Sequence, residues 1–182
     1  MSTICIPLAN GFEELEAITL IDILRRAKIN VITAGVNVEW VEGAHQIKIQ
    51  ADTAIKNISA SKIDMILLPG GMQGTKGLCQ DQYVQKLIKE MNTQNKTIGA
   101  ICAAPLALDA AQVIKGTFTC YPGLQNQIRS PHYQESPNVI IDENIMTSKG
   151  PATAMEFALE IVRFFMGEQV YNDLKEDLLA DL

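Results

Sequence analysis

Short apolar runs that stop at glycine, proline or asparagine alternate along this chain with longer stretches of helical periodicity. No other feature limits the fold as strongly. Ile4-Cys5-Ile6 and Val31-Ile32-Thr33-Ala34 are short and partly β-branched, as strands are. Between them Glu13 to Ala27 places apolar residues at Leu15, Ile18, Ile21 and Leu24–Ala27, a rhythm too long for a strand. Asp64 to Leu68 reads as a buried strand stopped by Pro69-Gly70-Gly71, and Thr97 to Ile101 as another. Helices are predicted over Gln82–Asn92, over Ala103–Val113 with Pro105 in the first turn, over Ala152–Met166 and over Gln169–Leu179. Ile145 to Ser148 is strand-like.

Nearly continuous apolar strands joined through helices imply an α/β fold with a mostly parallel central sheet and helices on both faces. Val38–Val41 and Gln46–Ala51 alternate with period two and predict a small antiparallel β-ribbon appended to that sheet. There is no internal repeat or linker, so residues 1–182 are expected to form a single domain. Tyr121 to Asn138 is irregular and carries three prolines; it is either a surface excursion or a loop shaping the rim of a site. Ligands in such folds gather at the carboxyl ends of the strands. The turns after Leu8, Leu68 and Ile101 are therefore the places to look.

Composition narrows the function classes. The chain has 182 residues, 47% hydrophobic and 20% charged, enough apolar material for a core without staples. A net charge of −6 disfavours nucleic acid or an anionic membrane as the main partner. No apolar stretch approaches the length of a spanning helix, and Met1 to Pro7 has no basic segment ahead of its short apolar run. Cys5, Cys79, Cys102 and Cys120 are too scattered for a disulfide framework, and no His/Cys cluster has zinc spacing. The expectation is a reduced, cytoplasmic protein without metal or cofactor.

The strongest local signal is Gly99-Ala100-Ile101-Cys102-Ala103-Ala104-Pro105. A cysteine stands where a buried strand must turn straight into a helix, between small residues. That is the layout of a nucleophile elbow, with cysteine in the place of serine. The following helix's N–H groups and dipole would favour a thiolate at Cys102. A buried structural cysteine is the alternative. The Leu68-Pro69-Gly70-Gly71-Met72-Gln73-Gly74 turn is neither a Walker loop nor a dinucleotide fingerprint; by itself it is a tight strand exit whose backbone N–H groups can approach a ligand.

Three carboxylates open the first helix. Glu13 and Glu14 read as a solvated face complementing the dipole. Glu16 lies between Leu15 and Ile18, towards the apolar stripe, where a half-buried carboxyl would have a raised pKa. His45 and His132 sit in loop-like segments, and their spacing identifies neither as a partner for a thiol. Cys5 alternates with Ile4 and Ile6 and reads as core; Cys79 falls in the polar turn Leu78 to Asp81, oxidisable but without an activator; Cys120 follows Thr117-Phe118-Thr119 and is either core or near the same sheet end as the site.

Together, Gly11-Phe12-Glu13-Glu14-Leu15-Glu16, Asp22 to Ala27, Leu67-Leu68-Pro69-Gly70-Gly71, Ala100 to Pro105 and Thr147-Ser148-Lys149-Gly150-Pro151-Ala152-Thr153 resemble the ThiJ/PfpI superfamily. The resemblance is to its parkinsonism-associated deglycase branch, which includes bacterial YajL-like proteins. It implies a flavodoxin-like sandwich, a homodimer, Cys102 on the elbow and Glu16 hydrogen-bonded to its sulfur. It also implies that the N–H groups of Gly71 and Ala103 face a substrate oxygen or an oxidised sulfur. Gly70, Tyr121 and Pro151 are candidate rim residues. Tyr121 stands where many relatives have histidine, so a Cys-His dyad is not implied. The protease-like branch carries histidine directly after the cysteine, where this chain has Ala103. Glutamine amidotransferases need a His-x-Glu pair, which His132-Tyr133-Gln134 is not.

What the resemblance implies is a cysteine-dependent glyoxalase or deglycase. Its substrates would be methylglyoxal, glyoxal or their protein and nucleotide adducts. The alternative is a redox-responsive chaperone or oxidative-stress sensor working through oxidation of Cys102. Two negative charges side by side would repel, so a thiolate requires a neutral Glu16. The expectation is a raised pKa for Glu16, a lowered one for Cys102, and coupled titration. Trp40 is the only tryptophan and, on a short ribbon, either anchors an interface or packs on its own domain.

Overall fold

The computed structural model describes residues 2–181. Its first strand, β1 (Thr3–Leu8), leads into α1 (Glu14–Arg26) and β2 (Asn30–Gly35), followed by β3 (Trp40–Glu42), β4 (Lys48–Gln50) and β5 (Thr53–Ala54). Next come β6 (Met65–Leu68), α2 (Met72–Gln80), α3 (Gln82–Thr93), β7 (Thr97–Ile101) and α4 (Pro105–Ala110). The chain closes with β8 (Val139–Asp142), β9 (Ile145–Ser148), α5 (Ala154–Met166) and α6 (Glu168–Asp177). The main sheet runs β5-β2-β1-β6-β7-β9-β8. Its pairings are parallel except for the β8–β9 hairpin. No helix among the described residues is long and apolar enough to cross a membrane.

Alternation along each strand feeds two cores. From β1, Ile4, Ile6 and Leu8 enter the layer that includes Leu20, Leu24, Phe157 and Ile161 from α1 and α5. Cys5 enters the opposite layer, with Leu78, Val84, Leu87, Ile88 and Leu108 from α2, α3 and α4. Each of these large apolar side chains contributes about 1.5–3 kcal/mol on burial. Cys5 is thus core, as expected.

Several elements differ from the sequence expectation, each for a physical reason. Leu78 to Asp81 is not a turn: Cys79 lies in α2, whose glycines hide its helical character. Gly74 is required there because a Cβ would come within 2.8 Å of Phe12 N. Asp81 then caps α3, its carboxylate accepting from Tyr83 N and Val84 N, each at 2.9 Å. The elbow helix is much shorter than Ala103–Val113, because Gln112 takes a positive φ of 61° and ends the turn after α4. Strand β8 was hidden behind the irregular stretch. The expected antiparallel ribbon is present as β3–β4, which pairs Val41 with Ile49 in a two-stranded sheet of its own.

Candidate active site

Strand β7 delivers Cys102 into the left-handed region, at φ 64°. This is a conformation that non-glycine residues adopt at a cost and keep only where neighbours hold them. Two loops do so. Cys102 N donates to Ser148 O at 2.9 Å, and Tyr121 N donates to Cys102 O at 2.8 Å. Ala103 and Ala104 are buried and small, which lets the chain turn directly into α4 while the thiol stays half-buried.

Glu16 comes from the first turn of α1 and is fully buried. Its Oε2 accepts from Gly70 N at 2.7 Å. Oε1 is buried without a conventional partner among the described residues, and the other polar group the carboxyl interacts with is the Cys102 thiol. Gly70 sits between them: a Cβ there would lie 2.7 Å from both Cys102 Cβ and Glu16 Oε2. Gly71 follows with φ 86°, and a Cβ on it would come within 2.4 Å of Gly11 O. Backbone can approach this closely only without side chains. The N–H groups of Gly71 and Ala103 both serve the Cys102 sulfur.

The electrostatics correct one expectation. Burial raises the Glu16 carboxyl to about 7, against the lowering effect of Gly70 N–H and the thiol, with Glu13's charge adding to the rise. Burial, followed by the charge and hydrogen bond of Glu16, pushes the Cys102 thiol up to about 12, while the N–H groups of Gly71 and Ala103 pull it down. A thiol pKa lowered on its own is therefore not what the site provides. The α4 helix, six residues long, is too short to supply the dipole expected at Cys102. Two acids this close titrate as one unit: the pair holds a single negative charge after its first ionisation, and the second is deferred to strongly alkaline pH.

The half-exposed Tyr121 ring lies 3.4 Å from where a Gly150 Cβ would project. Pro151 begins a 3-10 turn, Pro151–Thr153, three residues past Ser148. Among the described residues no hydrogen bond or ion pair joins either histidine to Cys102. His132 contributes its backbone to Phe118 N. Cys120 is buried, its Sγ 3.5 Å from Tyr121 O, and burial raises its thiol to about 11. Burial likewise raises Cys79.

Glu14 was expected on a solvated face and is instead buried, because the ribbon covers the start of α1. Its carboxylate accepts from His45 N at 2.6 Å and pairs with His45 Nδ1 at 2.9 Å. Glu13, Glu14 and His45 place ligand-type atoms within 4.8 Å of one another. Glu14's oxygens are already engaged by the turn, so the group reads as an internal ion pair. Sequence reasoning also passed over the hydroxyls of Ser148 and Thr153, although both lie in a motif it singled out.

Chemically, the arrangement offers a strained, reachable sulfur beside a carboxyl that keeps its proton to near-neutral pH, with two backbone donors at hand. Comparison with known proteins shows the family and the fold. Residues 2–164 match the model of the DJ-1/PfpI family. The chain is 36% identical over 169 residues to Protein DJ-1 homolog B of Arabidopsis thaliana, covering 91% of this chain but only 38% of that protein. It is 35% identical over 167 residues to Glutathione-independent glyoxalase DJR-1.2 of Caenorhabditis elegans, covering 91% of this chain and 89% of the relative. The crystal structure of Drosophila melanogaster DJ-1beta superposes with a TM-score of 0.96 at 34% identity, covering 100% of both chains.

Proposed function

Because the chain belongs to the DJ-1/PfpI family, we propose that it is a glutathione-independent glyoxalase or deglycase using Cys102 as nucleophile. Its substrates are methylglyoxal, glyoxal or their adducts. The observation that carries this reading is the buried Glu16 carboxyl wedged against the Cys102 thiol across a glycine that leaves no room for a side chain. In the proposed course the Cys102 thiolate attacks the aldehyde carbon of methylglyoxal to give a hemithioacetal. Glu16 gives its proton to the new alkoxide, then accepts the proton from that carbon and returns it to the neighbouring one through an enediol, while the hydroxyl proton passes from the first oxygen to the second, leaving a thioester. Water hydrolyses the thioester, releasing lactate and restoring the thiol. The N–H groups of Gly71 and Ala103 are placed to stabilise the oxyanion.

One proton arrangement satisfies every donor. With the proton on the Glu16 carboxyl, that group can donate to the sulfur, and Gly71 and Ala103 donate to the same thiolate. With the proton on sulfur, those N–H groups meet a neutral thiol, a weak acceptor. The same donors would also stabilise an oxidised sulfur, which supports the redox-sensing reading as a second use of Cys102.

The reading extends to a homodimer in the same cellular setting expected from composition, the cytoplasm. Leu15, Ile18, Trp40 and Ile47 are exposed on α1 and the ribbon, and Trp40 at 59% exposure is not packed into its own domain. The direct test of function is lactate formation from methylglyoxal without glutathione. Activity that survives Cys102→Ser unchanged would refute it.

A further inference from the structure

Behind the elbow lies a chain of hydroxyl hydrogen bonds that touches no reacting atom. Ser148 is fully buried, and its carbonyl is the acceptor for Cys102 N. Its Oγ lies 2.7 Å from Thr153 Oγ1 and 3.0 Å from Asn138 O. Thr153 Oγ1 accepts from Gly150 N at 3.1 Å and lies 3.0 Å from Gly150 O. Each of the two hydroxyls owns one proton and can donate it once. Gly150 O already accepts Thr153 N at 2.9 Å. If Thr153 donates to Ser148 and Ser148 to Asn138 O, each donor and acceptor is used. The sequence of donation is Gly150 N–H to Thr153 Oγ1, Thr153 O–H to Ser148 Oγ, Ser148 O–H to Asn138 O.

Asn138 continues the line, its Nδ2 donating to Glu156 Oε2 at 2.8 Å on α5. The loop from Ser148 to Thr153 is thereby tied to β8 and to the start of α5. The same loop holds the Cys102 N–H and brings Gly150 against the Tyr121 ring, whose residue holds the Cys102 carbonyl. We infer that Thr153 is a positioning residue: its hydroxyl, the one group in the loop that both accepts from Gly150 and donates to Ser148, fixes the loop that keeps Cys102 in its left-handed conformation and its sulfur aligned with Gly71 and Ala103. The inference rests on the reading of Cys102 as the nucleophile.

The test compares Thr153→Val, which keeps the shape and removes the hydroxyl, with Thr153→Ser, which keeps the hydroxyl. The readouts are methylglyoxal turnover and the rate of Cys102 alkylation by iodoacetamide at neutral pH. Thr153→Val is expected to lower kcat on the order of tenfold, the scale of a slightly misplaced reacting atom, with KM changed less than about twofold. Alkylation slows in parallel, and Thr153→Ser recovers most of both. Should Thr153→Val fail to fold, Ser148→Ala breaks the same link and is expected to show the same kcat and alkylation loss. A folded Thr153→Val or Ser148→Ala with wild-type kcat and alkylation overturns the inference. If the wild-type protein makes no lactate, the proposed reaction is wrong, and the alkylation comparison still decides the role of Thr153.

Discussion

The backbone N–H of Gly70 donates to Glu16 Oε2 at 2.7 Å, joining the exit of β6 to the first turn of α1 across 54 residues of sequence. This bond sets the distance between the carboxyl and the Cys102 thiol, because Gly70 fills the gap between them. A methyl group at that position would overlap both partners.

Gly70→Ala should therefore separate acid and sulfur while leaving the cores untouched. The expected result is a loss of turnover on the order of a hundredfold, with a circular dichroism spectrum like that of the wild type. Turnover within threefold of wild type would show that the close approach is not needed.

Glu14 and Glu16, in one helical turn, should leave opposite marks on stability against pH. Glu16's folded pKa, about 7, lies above the 4.5 of the free side chain. Its contribution is full below pH 4.5 and is lost as pH rises through 7, on the order of 3 kcal/mol at most. Glu14 is lowered: its oxygens accept hydrogen bonds from His45 side chain and backbone and from Ile47 N, which outweigh burial. Its contribution is present at neutral pH and is lost as pH falls through its folded pKa. Urea unfolding of Glu16→Gln should show a flatter profile between pH 4.5 and 7 than wild type. Glu14→Gln should instead lose the decline at the acid end. Identical profiles would contradict the assignment.

Phe157 is fully buried in the α1/α5 layer. Phe157→Ala should lower unfolding free energy by about 3–5 kcal/mol, read by denaturant titration. A loss below 1 kcal/mol would mean that the layer is not the packed core described here.

Leu15→Lys with Ile18→Lys places charge on the exposed face of α1. Light scattering of the wild type should give a dimer mass at micromolar concentration, and the double variant a monomer. A wild-type monomer would remove the dimer.

Much of this was legible because strands and elbow are local features. The buried strands β6 and β7, the glycine pair at Gly70-Gly71 and the turn at Cys102 follow from short runs whose composition permits little else. Glu16 was singled out for a reason the structure reverses. Leu15 and Ile18, its presumed companions on the apolar stripe, are exposed, while Ala17, Leu20, Ile23 and Leu24 are buried. Glu16 shares the face of Leu20 and Ile23, so it is buried by the face that Leu15 does not mark. Glu14 was unreadable because its partner His45 is brought in by long-range packing, and the Ser148–Thr153 chain because Asn138 reaches it through the β8–β9 hairpin, whose first strand the irregular stretch conceals. The thiol's ionisation is not legible in sequence because burial acts on both members of the pair at once, and helix α4 is too short to offset it.

The most direct test is the rate of Cys102 alkylation against pH, in wild type and in Glu16→Gln, with Cys5, Cys79 and Cys120 changed to alanine or serine so that one thiol reports. A shared proton predicts a wild-type rate that rises with an apparent pKa near 7, where the pair first ionises, and levels off above it. Glu16→Gln has no carboxyl proton to lose, so its buried thiol should become reactive only at more alkaline pH, and it should turn over no methylglyoxal. A wild-type thiol that stays inert until strongly alkaline pH, rising only towards the value of about 12 that burial and an ionised Glu16 impose, would contradict the account.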